Sequence, residues 1–432
     1  MVEEISEGKG VSVSVLTSVV VKEVRIGLLG CGGVGQAIVQ ALTASDDRLS
    51  EAGLAVRCAA ALVRDPSRPR AVSDVPLTND PDVWSRYDFD VVVEVLGGIE
   101  PARTLVAQTL SAGVPVVTAN KSLMAAHGVE LQALAAAHST SLYFEASVLA
   151  GVPCVNTLAR RPLASGGGAW AGIVNGTSHF ILSEMTRGRS FDDALVEAVT
   201  RGYAEPSSDA DISGRDAAEK LTILLHLAGH TDVATADFPR RGIDGLETWH
   251  IEFARRLGGV IKPVALVDTG QDAGSWVGPA FVPASHPFAQ VDGVTNILSV
   301  GRGESAVLFS GPGAGPGITA LTVLDDVVEA VAGRGQRTLL APEVSASVAQ
   351  RLRAPRTGAW CLALDHVTSS AGELAEFLAS NHLPAVSLAG EGRRHAVVTA
   401  SATYAALCAA VDAIEATGVR VTWWPVVEVA RG

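Results

Sequence analysis

Residues Gly202 to Lys220 read G-Y-A-E-P-S-S-D-A-D-I-S-G-R-D-A-A-E-K, an acid-rich segment that runs into an apolar helix pattern beginning near Asp216. Asp216 and Lys220 are four apart and therefore neighbours on one helical face. At roughly 100° per residue, Ile223, Leu224 and Leu227 fall on the same side. Arg215, Glu219, Thr222 and His226 occupy a separate polar strip. The carboxyl and the amine thus point into the apolar arc, where an ionised pair is costly unless it has a purpose. A capping box from Ser213 to Asp216 and an ordinary helix pair account for the same spacing. Composition tips the balance toward chemistry. Of 33 lysines and arginines only five are lysines: Lys9, Lys22, Lys121, Lys220 and Lys262. A position that keeps lysine in an arginine-writing chain calls for a compact ammonium or an amine that can lose its proton. Lys121 and Lys220 stand out on that ground.

The elements that must position these groups begin after an extension over residues 1–23, in which Val11 to Val21 suggests a strand. Val24 to Leu29 fits a buried strand. Gly30-Cys31-Gly32-Gly33-Val34-Gly35 follows at once, and a helix pattern starts at Gln36. This is G-x-G-x-x-G between a strand and a helix, the context in which its glycines let a pyrophosphate approach the backbone and the helix amino end. The second strand, Ala55 to Val63, ends in Arg64-Asp65. Arg64 suits a ribose 2′-phosphate, which favours NADP(H) over NAD(H); the alternative is a solvated Arg64 with Asp65 on the ribose. Phe89 to Leu96 leads into Gly97-Gly98, and Val114 to Thr118 leads into Ala119-Asn120-Lys121. Alternating strands and helices predict an α/β, Rossmann-type doubly wound parallel sheet whose carboxyl-end loops line the crevice. Asn120 and Lys121 sit on such a loop.

Leu142 to Glu145 reads as another strand, and the pattern changes near residue 148. Asn175 to His179 makes a turn within apolar sequence, and Gly311-Pro312-Gly313-Ala314-Gly315 stands between Val307 to Ser310 and a helix over Ile318 to Val331. The expected organisation is a dinucleotide-binding unit over 24–147, completed by about 306–332, and a mixed α+β catalytic and dimerisation unit over 148–305. A linker over 333–355 and a βαββαβ unit over 356–432 follow.

A net charge of −13 with no basic run argues against nucleic acid or an anionic membrane as the main partner. The five scattered cysteines contain no C-x-x-C and read as free thiols of a reducing compartment. No apolar run approaches a membrane span, and the acidic amino terminus is unlike a signal peptide. A cytoplasmic enzyme is the expectation.

Taken together, these motifs resemble homoserine dehydrogenase, over roughly Ile26 to Val328. The resemblance rests on G-C-G-G-V-G, V-V-V-E-V-L-G-G-I-E-P-A, V-T-A-N-K, F-E-A-S-V-L-A-G-V-P, N-G-T-S-H-F-I-L, the acidic segment and G-P-G-A-G, in that order. It implies reversible reduction of L-aspartate 4-semialdehyde to L-homoserine with NAD(P)H, on the way to threonine, isoleucine and methionine. Lys220, Asp216 and Lys121 match the catalytic residues. Glu205 and Asp211 match acids that hold the substrate ammonium, and Thr177 joins the substrate site. The cofactor set is Gly30, Gly32, Gly33, Val34, Gly35, Arg64, Gly97, Asn120, Lys121 and Gly313. The resemblance also implies Na+ or K+ at Glu145 and the carbonyls of Val148, Ala150 and Val152. It further implies a homodimer or higher homo-oligomer through the middle unit, and a carboxyl-terminal ACT-like unit able to take an amino-acid effector. An ammonium near the carbonyl would stabilise charge developing on oxygen, which suits these lysines.

The chain departs from the family at Ser207-Ser208-Asp209, where E-P-D-P-T is usual, and at Ser178-His179, where Thr-Asn is common. His179 reads as a structural histidine. His366 to Ser370 replaces the Pro-Gly turn expected in an ACT unit. The rival readings are an NADP enzyme for another small aldehyde or keto acid, and a non-catalytic amino-acid or nucleotide sensor.

Overall fold

The computed structural model describes residues 21–44, 47–72, 74–160, 168–204, 208–270, 274–334, 348–355 and 357–428. The strand expected over Val11 to Val21 and the acid Glu205 lie outside these residues, apart from Val21 itself.

Six parallel strands form the first sheet: β1 (Lys22–Leu29), β2 (Leu54–Leu62), β3 (Leu77–Thr78), β4 (Val91–Glu94), β5 (Val116–Thr118) and β6 (Leu142–Tyr143). Their order is β3-β2-β1-β4-β5-β6. Val24, Ile26, Leu28 and Leu29 of β1 are fully buried, as a strand covered on both faces requires. Each such side chain contributes roughly 1.5–3 kcal/mol by leaving water. The order reverses on either side of β1, and that switch point opens a crevice at the carboxyl ends of β1 and β4. Helix Gly33–Thr43 leaves the glycine turn three residues earlier than the side-chain pattern suggests, because Gly33 to Gly35 are themselves helical, with Gly32 as the N-cap. Helix Pro316–Val331, far along the chain, returns to pack against it.

The second sheet is antiparallel: β7 (Ala169–Ile173), β8 (Gly259–Asp268), β9 (Gly274–Pro283), β10 (Thr295–Val300) and β11 (Val307–Pro312), in the order β11-β10-β7-β8-β9. Helices Gly176–Thr186 and Thr248–Arg256 pack on β8. Asn175 to His179 is therefore not a free turn. The Asn175 side chain accepts a hydrogen bond from Ser178 N and starts the helix, so the following residues take its first turn.

The third sheet comprises β12 (Trp360–Asp365), β13 (Ala385–Glu391), β14 (Arg394–Thr399) and β15 (Arg420–Pro425), all antiparallel, in the order β13-β14-β12-β15. With helices Ala371–Ser380 and Tyr404–Glu415 the element order is βαββαβ. The stretch expected to be a linker is more than a tether: Val348–Arg351 is helical, and Val348, Ala349 and Leu352 are buried in the main core. Among the described residues no helix is long and apolar enough to cross a membrane.

Candidate active site

Helix Arg215–Leu227 brings Asp216 and Lys220 inward. Asp216 is 2% exposed and Lys220 7%. The expected Ser213–Asp216 capping box is absent, because Gly214, in a left-handed conformation, is the N-cap and the Asp216 carboxylate is engaged elsewhere. Thr222 leaves the predicted polar strip as well: it is fully buried and donates to the Ala218 carbonyl. Asp216 Oδ2 lies 2.8 Å from Lys220 Nζ, and Oδ1 lies 2.6 Å from Lys121 Nζ. Lys220 also donates to the Val174 carbonyl at 2.7 Å. Burial alone would raise the Asp216 pKa, but the ammoniums of Lys220 and Lys121 outweigh it and hold the group well below the usual carboxylate range. Lys121 is pushed up, chiefly by Asp216.

Each member of this cluster is held by a different part of the fold. Asn120 caps helix Lys121–Ala137 by accepting from Leu123 N, and its Nδ2 donates to the Gly98 carbonyl at 2.6 Å and to Glu94 at 3.3 Å. Buried Glu94, at the end of β4, also accepts from Thr118 Oγ1. Asn120 is thus tied into the loops after β4 and β5, and it sets where Lys121 begins its helix. Ser122 donates to Glu219 and joins helix Lys121–Ala137 to helix Arg215–Leu227. On the second-sheet side, Asn175 Nδ2 donates to Asp216 at 2.8 Å and to Asp211 at 2.7 Å. The Asp211 pKa is raised, first by burial and then by Asp216. Thr177 is buried, and its hydroxyl donates to the Tyr203 carbonyl.

The glycine turn fits a dinucleotide. A Cβ on Gly30, whose φ is +101°, would lie 2.8 Å from the Val95 carbonyl oxygen, and one on Gly35 would lie 2.6 Å from that of Gly30. Gly32 and Gly33 are exposed, and Gly32 has open space around it. The helix that follows has no side-chain cap, so its first N–H groups face the crevice mouth unclaimed by a cap. Val34 is half-buried beneath the turn, and Gly97 leaves open space after β4. Arg64 is exposed at the end of β2, while Asp65 is turned onto Ser67. Arg70, by contrast, braces the turn through the carbonyl of Cys31. Gly313 accepts from Ala150 N and lies before Pro316, which a Cβ on Gly33 would approach to 3.8 Å.

Glu145 is buried in a short 3-10 turn after β6, and its carboxylate accepts from Val155 N and Asn156 N. Asp326 accepts from Glu145 N, and burial followed by the Glu145 charge pushes its pKa up to about 7. Val148, Ala150 and Val152 are buried. The Ala150 carbonyl accepts from Thr322, and that of Val152 from Cys154 N.

Four residues escaped the sequence reading. Glu94 carried no signal beyond an acid in a valine run. Lys262 carried the same scarcity signal as the other lysines but sits mid-strand in β8. It is buried, donates to the Val291 carbonyl and lies 3.0 Å from His179 Nε2; burial lowers its pKa to about 8. His179 is structural, as expected: it is wholly buried, its Nδ1 faces the Thr295 carbonyl, and burial lowers its pKa to about 4. Arg241 donates to the Trp423 carbonyl and lies over the Trp423 ring at 4.5 Å. Its neighbour Ile243 donates to the carbonyl of Ile212, next to Asp211. Asn296 is fully buried beside Gly313.

Two family models match the chain: "Homoserine dehydrogenase, NAD binding domain" over residues 30–145 and "Homoserine dehydrogenase" over residues 153–328. Homoserine dehydrogenase of Corynebacterium glutamicum is 40% identical over 71% of this chain and 72% of its own length. That of Bacillus subtilis is 36% identical over 71% and 72%. The crystal structure of a homoserine dehydrogenase from Thiobacillus denitrificans superposes with a TM-score of 0.82 at 31% identity, covering 94% of this chain and 99% of that one.

Proposed function

The chain belongs to the homoserine dehydrogenase family, and from that premise we propose how its own residues carry the reaction. It is an NAD(P)-dependent oxidoreductase that interconverts L-aspartate 4-semialdehyde and L-homoserine. The nicotinamide cofactor, held by the turn from Gly30 to Gly35 with Gly97, Asn120 and Gly313 around it, supplies or accepts the hydride. Lys121 gives the aldehyde oxygen its proton: its side chain is about two-fifths exposed, and Asp216 is its one ion-pair partner among the described residues. Lys220 commits two of its three N–H groups to Asp216 and Val174 and supplies charge. Asp216 favours the ammonium form of Lys121 and pairs with Lys220. Asp211 and Glu205 take the substrate ammonium, and Thr177 offers its oxygen lone pairs to the substrate. The observation that carries this reading is one buried carboxylate shared by two ammoniums at the crevice.

Exposed Arg64 at the end of β2 supports a preference for NADP(H). A monovalent cation, Na+ or K+, is assigned to Glu145 and the carbonyls of Val148, Ala150 and Val152; a melting temperature that does not respond to K+ or Na+ would count against it. The four-stranded βαββαβ unit supports an ACT-like module with an amino-acid effector, and a rate indifferent to millimolar threonine speaks against threonine as that effector. Val307 and Leu308 are 44% and 50% exposed on edge strand β11, which supports a homodimer through the second sheet; light scattering at the monomer mass would refute it. The free cysteines suit a cytoplasmic setting. The units divide near residues 148 and 356, with helix Pro316–Val331 completing the nucleotide unit.

The deciding assay is oxidation of L-homoserine at alkaline pH with NADP beside NAD. Turnover with NADP ahead of NAD is expected. Folded protein that binds nucleotide but turns over neither would overturn the catalytic assignments.

A further inference from the structure

Asn296, in β10, is wholly buried, and neither its Nδ2 nor its Oδ1 has a hydrogen-bond partner. Leaving both ends of a buried amide unpaired is costly, and native proteins rarely do so without a ligand or water to complete the set. Its surroundings say where the partner belongs. A Cβ on Gly313 would lie 1.8 Å from Nδ2, so the Gly313 backbone lies directly over the amide. A Cβ on Gly176 would lie 3.7 Å from Oδ1. Gly176 follows Asn175, which bonds Asp216 and Asp211, and Gly313 leads to Pro316, which faces Gly33 of the dinucleotide turn. The unpaired amide therefore stands between the Asp216 cluster and the nucleotide turn, where a ring that exchanges hydride with the substrate must lie.

We propose that Asn296 binds the carboxamide of the nicotinamide ring. The inference rests on the crevice being a dinucleotide site. A primary amide presents a donor and an acceptor side by side, and its reciprocal complement is another primary amide. A phosphate would satisfy only Nδ2, and the substrate ammonium only Oδ1. Gly313 and Gly315 leave the covering turn without side chains, and binding of the ring requires that turn to shift off the amide. Holding the carboxamide fixes rotation of the ring about its glycosidic bond, and so fixes which ring face is presented to the substrate beside Lys121.

The test compares two ligands on the near-isosteric variant Asn296→Leu. NADPH is titrated by its fluorescence, and 2′-phospho-ADP-ribose, which lacks the ring, by calorimetry. The expected result is NADPH binding weakened about ten-fold or more, the loss of a paired amide, with the fragment unchanged. Unchanged NADPH affinity, or equal weakening of both ligands, overturns the proposal. Should the variant not fold, wild-type protein is titrated with NADP and with its 3-acetylpyridine analogue, whose methyl replaces the amide nitrogen. About ten-fold weaker binding of the analogue supports the proposal and equal binding overturns it. Wild-type protein that does not bind the fragment at all would sink the dinucleotide reading itself, and this inference with it.

Discussion

Replacing Asp216 by Asn keeps the shape of the side chain and removes its charge. In the native arrangement one buried carboxylate faces ammoniums at 2.6 and 2.8 Å. With Asn in its place the two ammoniums face a neutral amide and each other. Their mutual repulsion is present in the native protein too; what the variant loses is the carboxylate's attraction, and breaking a buried ion pair in this way costs roughly 3 kcal/mol. The loss favours the neutral amine of Lys121, whose pKa Asp216 chiefly raises. The sign follows from the chemistry. Reduction of the aldehyde needs an ammonium, so its rate falls as pH rises through the donor's pKa. That fall should come at lower pH in the variant. The same roughly 3 kcal/mol, taken from stabilisation of the developing alkoxide, predicts a loss of about 100-fold in kcat/KM. The assay is NADPH consumption with L-aspartate 4-semialdehyde from about pH 6 to 10. A variant within about three-fold of wild type, with its alkaline limb unmoved, would refute the two-ammonium mechanism.

Three further outcomes follow from single contacts. Gly35→Ala puts a methyl 2.6 Å from the Gly30 carbonyl oxygen, which is backbone and cannot yield cheaply. NADPH affinity by calorimetry should fall at least about 100-fold, and stability by about 1–3 kcal/mol. His179 has its pKa lowered from 6.5 to about 4. The unfolded chain takes up that proton first, so the stability is intact above about pH 6.5 and lost as pH falls toward 4, by roughly 3 kcal/mol in all. His179→Gln should flatten the urea midpoint over that window; an unchanged slope would show that another group controls it. Arg241→Met removes the hydrogen bond to Trp423 from the segment that braces Ile212. It should raise KM for L-homoserine about three- to ten-fold with kcat nearly constant, and a fall in kcat alone would place Arg241 elsewhere in the mechanism.

Local signals in the chain were enough for the parallel sheet. Strand, glycine turn and helix follow each other within a few residues, and the apolar runs of β1 and β4 have one plausible home. The Asp216–Lys220 pair was legible because helical spacing is rigid. What joins that pair to Lys121 was not, because the 2.6 Å contact spans 95 residues and depends on how two helices dock. The network from Thr118 through Glu94 to Asn120 was hidden for the same reason: a glutamate at the end of a valine strand has no periodic signature. The Ser213 capping box failed because two arrangements were locally available, and Gly214 provides the helix start while Asp216 is drawn to the lysines. The stretch over 333–355 read as a tether from its glycine, proline and arginine content, yet Val348, Ala349 and Leu352 reach the main core.

The placement of Asp216 explains why a costly buried charge is retained. Its three polar partners come from three parts of the fold: Lys121 from the first turn of the helix after β5, Asn175 from the segment after β7, and Lys220 from its own helix. The first belongs to the first sheet's side and the second to the second sheet's side. A hydrophobic replacement could fill the volume, but it would leave two lysines and an amide unpaired and nothing to fix the two halves in register. Because the proposed proton donor Lys121 and the proposed substrate acid Asp211 are both tied to this carboxylate, Asp211 through Asn175, a shift of one half against the other would alter reach and charge together. On the proposed mechanism, the polar bonds at Asp216 set the geometry for reaction at the same point where they favour the charged form of Lys121. Stability lost by burying the ion cluster is exchanged for a site whose two halves can act only when they are correctly joined.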